Sequence, residues 1–286
     1  MRLGLAAAAA LLCACQLHLY DPLDELEYRV YPDAASAIRA ILADVPPPRV
    51  YAVGEYHPTR GAAAQRTPIA RFTDEIIELL EPRAQHLVIE AWAGDSCSGD
   101  RAESVGAQVA RAIGRPAGAA SDLARLVSAG QRASLVAHAP PITCIEQSAM
   151  LDARGRVDFL RLLEMIAAKL YETTRALAVD QGRAVIVYGG ALHNDLYPRY
   201  ALEELTYAPA LARDLGGGGV LEIDLVVPEI VAPLPMVRAE PWFPLLGLAA
   251  PARAIVWERG PDSYVVMLPA QTEGIGRFTR PAYARR

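Results

Sequence analysis

Three of the five histidines, His57, His138 and His193, fall at or just beyond the ends of short runs rich in valine, isoleucine and leucine. Glu55 and Glu90 end two such runs in the same way. Gly54 and Gly190 each stand three residues before a histidine, in Gly-Glu-Tyr-His and Gly-Ala-Leu-His. A glycine there lets the backbone turn or a ligand approach closely. Glu55 and His57 are two apart, so on a persisting strand they share a side. Two histidines with one or two carboxylates can hold a divalent metal with open positions. They can equally act without metal, as a general base and its orienting partner. Either arrangement suits attack of water on an ester or amide. Asn194, the only asparagine in the chain, and Arg60 are candidate donors to a developing oxyanion.

These residues need a scaffold that brings strand ends together. Residues 49–55, 86–92, 133–138, 184–189 and 220–227 read as strands, with helical stretches between them (69–80, 102–113 and 120–128, and 150–179 with Gly155 as a candidate break). The strands lack clean alternation, as expected when both faces are buried. The pattern predicts an α/β fold with a mostly parallel β-sheet flanked by helices. In such sheets the ligand crevice lies beyond the carboxyl ends of the strands, where the histidines and glutamates collect. His138, alone at its strand end, reads as structural, as does His86 at the start of a strand. Strand 220–227 carries Glu222 and Asp224. Residues 254–257 and 264–268 read as a closing hairpin, and the proline-rich stretch 228–251 around Trp242 and Phe243 as a covering loop.

The chain has 286 residues, 52% hydrophobic and 21% charged, with a net charge of -5. That hydrophobicity excludes disorder, and one lysine against 27 arginines offers no lysine-rich patch for nucleic acid. Residues 1–14 read as a lipoprotein signal peptide. Arg2 precedes a ten-residue apolar run, too short to span a bilayer, and Leu12-Cys13-Ala14-Cys15 resembles a lipobox with Cys15 as the lipidated residue. Gln16 is not the aspartate that retains lipoproteins at the inner membrane. The expected location is therefore the bacterial outer membrane, reached through a lipid anchor. Residues 15–45 are expected to form a tether and a short helix, and 46–286 a single domain. Export leaves Cys97 and Cys144 as a candidate disulfide closing a loop of about 48 residues, worth about 4 kcal/mol.

The motifs around Gly54–His57, Glu90 and Gly190–His193, in this order, resemble the superfamily of erythromycin esterases, ChaN-type haem-uptake lipoproteins, TraB proteins and Tiki proteases. The resemblance covers roughly residues 49–195. It implies a parallel-sheet core with a pocket built from these elements. In its hydrolase branches His57, Glu55, Glu90 and His193 would be catalytic. His57, His193 and Glu90 would be the ligands where a metal (Zn, Mn, Fe or Co) is used. The substrate would be a small molecule or a peptide. Its ChaN-like branch implies haem instead, with His57, Tyr56 or Tyr188 as axial ligands and the Trp242/Phe243 loop as the apolar wall.

Overall fold

The computed structural model describes residues 22–58, 66–91, 93–94 and 119–271. The signal segment, Cys15, Arg60, Cys97 and the expected helix 102–113 lie outside them. The described strands are β1 (Tyr28–Tyr31), β2 (Val50–Glu55), β3 (His86–Ile89), β4 (Ala93–Gly94), β5 (Val136–His138), β6 (Pro141–Ile142), β7 (Val185–Gly190), β8 (Val220–Val226), β9 (Ala254–Gly260) and β10 (Ser263–Met267). Eight of them form one sheet in the order β1-β9-β10-β8-β2-β7-β3-β5, and β4 pairs with β6. From β10 to β5 all neighbours are parallel. The α/β fold with a mostly parallel sheet is therefore as the sequence predicts.

The sheet is buried on both sides, which is why its strands lack a polar face. Tyr51 and Val53 of β2 point into one layer, Val50 and Ala52 into the other. The first layer is covered by α1 (Ala34–Asp44), α2 (Pro68–Glu75), α3 (Ile77–Leu80) and α4 (Ala119–Arg132). The second is covered chiefly by α6 (Phe159–Arg175) and α8 (Ala208–Leu215); α5 (Cys144–Ala149) follows β6 and α7 (Ala191–Asn194) follows β7 in the chain. Helix α6 starts where Asp158 accepts hydrogen bonds from the Leu160 and Arg161 amides, a cap worth about 1 kcal/mol. It buries Leu162, Ile166 and Leu170 at four-residue spacing. Truncating Leu162 to alanine would cost about 2–5 kcal/mol. Among the described residues no helix is long and apolar enough to cross a membrane.

Several boundaries differ from the sequence reading, each for a physical reason. The tether ends by Tyr28. Residues 28–31 pair antiparallel with β9 as an edge strand, and α1, capped by Asp33, sinks Ile38 and Ile41 into the core. The expected helix 69–80 breaks at Ile76, whose backbone leaves the α-region. Residues 150–158 form a turn with Gly155 at φ 71°, so the long helix begins at Phe159. The 254–268 hairpin does not close the sheet. Its second strand, buried along its whole length, inserts beside β8 and leaves the outer places to β9 and β1. The stretch 228–251 folds into short helical turns, and Trp242 is wholly buried against Val226, Ile255, Val265 and Met267.

Candidate active site

Parallel register carries the chemistry to one edge of the sheet. Gly54 pairs with Gly189 and Glu55 with Gly190, while β3 on the other side of β7 ends just before Glu90. β7 passes directly into the single-turn helix α7, which brings His193 back over the strand ends. The glycines here make room for side chains. A methyl on Gly189 would sit 2.8 Å from Glu90 Oε2. One on Gly54 would sit 2.1 Å from Asp224 Oδ1 and 2.8 Å from the Ala191 Cα. Neither site admits a Cβ without displacement.

Gly190 marks the centre. A methyl on it would stand 3.1 Å from His57 Nε2, 3.4 Å from Glu90 Oε2 and 3.6 Å from His193 Cδ2. Three of the four expected catalytic side chains thus converge on one point, and Glu55 joins them through His57. The His57 Nδ1–H donates to Glu55 Oε1 at 2.7 Å, and Nε2 faces Glu90 Oε1 at 3.7 Å. Tyr188 donates its hydroxyl to the other oxygen of Glu55, and the Gly190 amide donates to Glu90 Oε2 at 2.6 Å. Burial opposes charge on His57. The hydrogen bond to Glu55 and the charges of Glu55 and Glu90 outweigh it and lift the imidazole to about 9. His57 is therefore an imidazolium at neutral pH, held between two carboxylates.

His193 is set up differently. It is buried, and its Nδ1–H donates to the Leu205 carbonyl at 2.7 Å. A carbonyl can only accept, so in the neutral imidazole this bond places the proton on Nδ1 and the lone pair on Nε2. Beside His57 lies a cavity of about 20 Å³, lined by Glu55, His57, Thr67, Ile69, Glu90, Asp122, Leu123 and Tyr188. That is room for a water molecule.

The remaining expected residues are placed as follows. Tyr56 lies edge-on to Trp242 with ring centroids 5.4 Å apart, and burial followed by the charge of Asp224 raises its phenol. Tyr188 packs on Phe72 at 4.7 Å and serves Glu55. Of the expected axial ligands, His57 and Tyr188 line the same cavity and Tyr56 packs on Trp242. Asn194 is fully buried, with both amide atoms lacking a partner. Arg60 lies outside the described residues. Cys144 is disulfide-bonded, and its expected partner Cys97 also lies outside the described residues. Among the described residues no three His, Cys, Asp or Glu side chains are grouped as a metal ion requires.

Sequence reasoning missed the groups behind His193. Arg259 reaches Asp195 Oδ1 at 2.8 Å, Glu222 Oε1 at 3.1 Å and Asp224 Oδ2 at 3.2 Å. Ser263 donates to Glu222 Oε2 at 2.6 Å. Burial, opposed by Arg259, raises Glu222 to about 7. Burial and then the charge of Glu222 hold Asp224 well above the carboxylate range. The legible signal was two acids at period two inside an otherwise apolar strand. Their cation was hidden by the insertion of β10 between β8 and β9. No protein-family profile and no curated protein sequence matches the chain. Among solved structures it is similar to the type III effector HopBA1, at 12% identity over 86% of this chain and 98% of the effector, with a TM-score of 0.43.

Proposed function

We propose that this protein hydrolyses an ester or amide bond in a small molecule or peptide, at the bacterial cell envelope, where Cys15 anchors it by lipid. The observation that carries the reading is the convergence of His57, Glu90 and His193 on the space above Gly190. The two imidazoles are prepared for opposite tasks. His193 has a free Nε2 lone pair and is the general base. It takes a proton from water as the water oxygen bonds to the carbonyl carbon. His57 is charged and is the general acid. It gives its proton to the leaving oxygen or nitrogen as that bond breaks. Exchange with solvent then removes the proton from His193 and restores the one on His57, so the net change is addition of one water. Glu55 and Glu90 hold the acid in its charged form, and Tyr188 orients Glu55.

The resemblance also implies a divalent metal on His57, His193 and Glu90. In this arrangement the His57 ring already turns Nδ1 to Glu55 at 2.7 Å and Nε2 towards Glu90 at 3.7 Å, contacts that a metal on Nε2 would have to replace. The reading therefore takes the metal-free form. Haem has less support, since Tyr56 and Tyr188 are already engaged with Trp242 and Glu55.

A panel of nitrophenyl esters and peptide amides, assayed before and after chelation with elemental analysis alongside, tests this. Turnover that survives chelation and disappears in both His57→Ala and His193→Ala is expected. Turnover restored only by Zn, Mn, Fe or Co moves the chemistry to the metal. A Soret band with haemin, lost in His57→Ala and accompanied by no turnover, replaces hydrolysis with haem binding.

A further inference from the structure

The cluster around Arg259 is used by no step of that chemistry. Arg259 stands at an irregularity in the β9–β10 hairpin. The pairing passes from Ser263 with Gly260 to Tyr264 with Glu258 and leaves Arg259 without a partner on β10. Such bulges re-aim a side chain, and this one sends the guanidinium across β10 to Glu222 and Asp224 of β8 and on to Asp195. One guanidinium serves three acids here, and burial meets the imbalance by holding Asp224 well above the carboxylate range and raising Glu222 to about 7.

What the cluster accomplishes is placement. Asp195 stands two residues beyond His193 and ends α7. Its Oδ1 accepts from Arg259 Nη1 and also from the Tyr197 amide, at 2.8 Å each. Its carbonyl accepts from the Thr206 hydroxyl at 2.8 Å, and the same hydroxyl reaches the His193 carbonyl at 2.9 Å. Glu222 meanwhile accepts the Leu196 amide at 3.0 Å. The turn that follows His193 is therefore tied to β8 and β9, and the Leu205 carbonyl that orients the imidazole is adjacent to Thr206.

We propose that Arg259, acting through Asp195, is a positioning residue for the His193 imidazole. The kinetic arm of the test rests on the hydrolase reading; the spectroscopic arm does not. Arg259→Ala would leave the buried Glu222 and Asp224 without their cation and endanger folding. Asp195→Ala keeps Arg259 on Glu222 and Asp224, and Arg259→Lys keeps the charge without the fork. In Asp195→Ala, kcat is expected to fall about tenfold or more with KM little changed, as misplacement of a catalytic group does. The exchange-protected Nδ1–H resonance of His193 is expected to move or vanish, and Asp195→Asn to restore much of both. Arg259→Lys gives the same two changes at smaller size. Wild-type kcat and an unmoved Nδ1–H resonance in both variants overturn the proposal. If the wild-type protein turns nothing over, the hydrolase reading falls, and the resonance alone judges the clamp.

Discussion

Two histidine pairs stand on this sheet and their surroundings differ in kind. His57 and His193 meet at the ends of β2 and β7 among carboxylates and a carbonyl acceptor. His86 and His138 meet on β3 and β5, with Nδ1 and Nε2 2.9 Å apart, bonded to each other. Burial lowers both members of the second pair, and His86 is lowered further by His138 and by Arg183. Burial also opposes charge on His57, yet Glu55 and Glu90 reverse the outcome and raise it to about 9. A strand-end position brings a histidine to the crevice. The charge of its neighbours decides whether it can act as an acid there.

Substitutions can break this contrast. His57→Ala should have the largest effect, a loss of about 10²–10⁴ in kcat/KM, as removal of a general acid does. His138→Ala should leave the rate unchanged, and equal losses in the two variants would erase the distinction. Glu55→Gln should come next. On the hydrolase reading the wild-type rate should fall as pH rises through about 9, where His57 is expected to lose its proton. Without Glu55 that alkaline limb should move down towards the ordinary imidazole value of about 6.5. A pH–rate profile reads this directly. Gly190→Ala should follow, since its backbone (φ -68°, ψ 137°) tolerates alanine while the methyl falls 3.1 Å from His57 Nε2. A rate loss of about tenfold with an unchanged melting temperature is expected from such a small displacement.

The smallest effect concerns stability. His57 and Glu222 both have folded-state values raised above their unfolded ones, so each stabilises where it binds the extra proton. For Glu222 the contribution is complete below about 4.5 and is lost as pH rises through about 7. For His57 it is complete below about 6.5 and is lost through about 9. The melting temperature should therefore decline in two stages from mildly acidic to alkaline pH. Glu222→Gln should remove the first stage alone.

Much of the sheet was legible because burial on both faces gives short runs rich in Val, Ile and Leu without clean alternation, as in 50–55, 185–190 and 220–226. Glu55, His57, Glu90 and His193 were legible because parallel topology gathers strand ends. β1 was not, since a four-residue edge strand with Tyr28 and Val30 exposed has no burial pattern to display. Arg259 was invisible for another reason. Its role depends on which strand lies between β8 and β9, and local pattern carries no strand order. The preparation of His193 was equally hidden, because its partner is a backbone carbonyl twelve residues away that any residue type could supply.

The placement of β10 also fixes when, during synthesis, the site can be finished. Every expected catalytic side chain has been made once residue 193 leaves the ribosome, and β8 follows by residue 226. Until the last hairpin emerges, β8 has an open edge, and Glu222 and Asp224 have no guanidinium to share. A nascent chain stopped before Ala254 would carry all four catalytic groups with the turn beyond His193 untethered to β9. Completion of the candidate site is thus scheduled by the β9–β10 hairpin, which contributes none of those four groups.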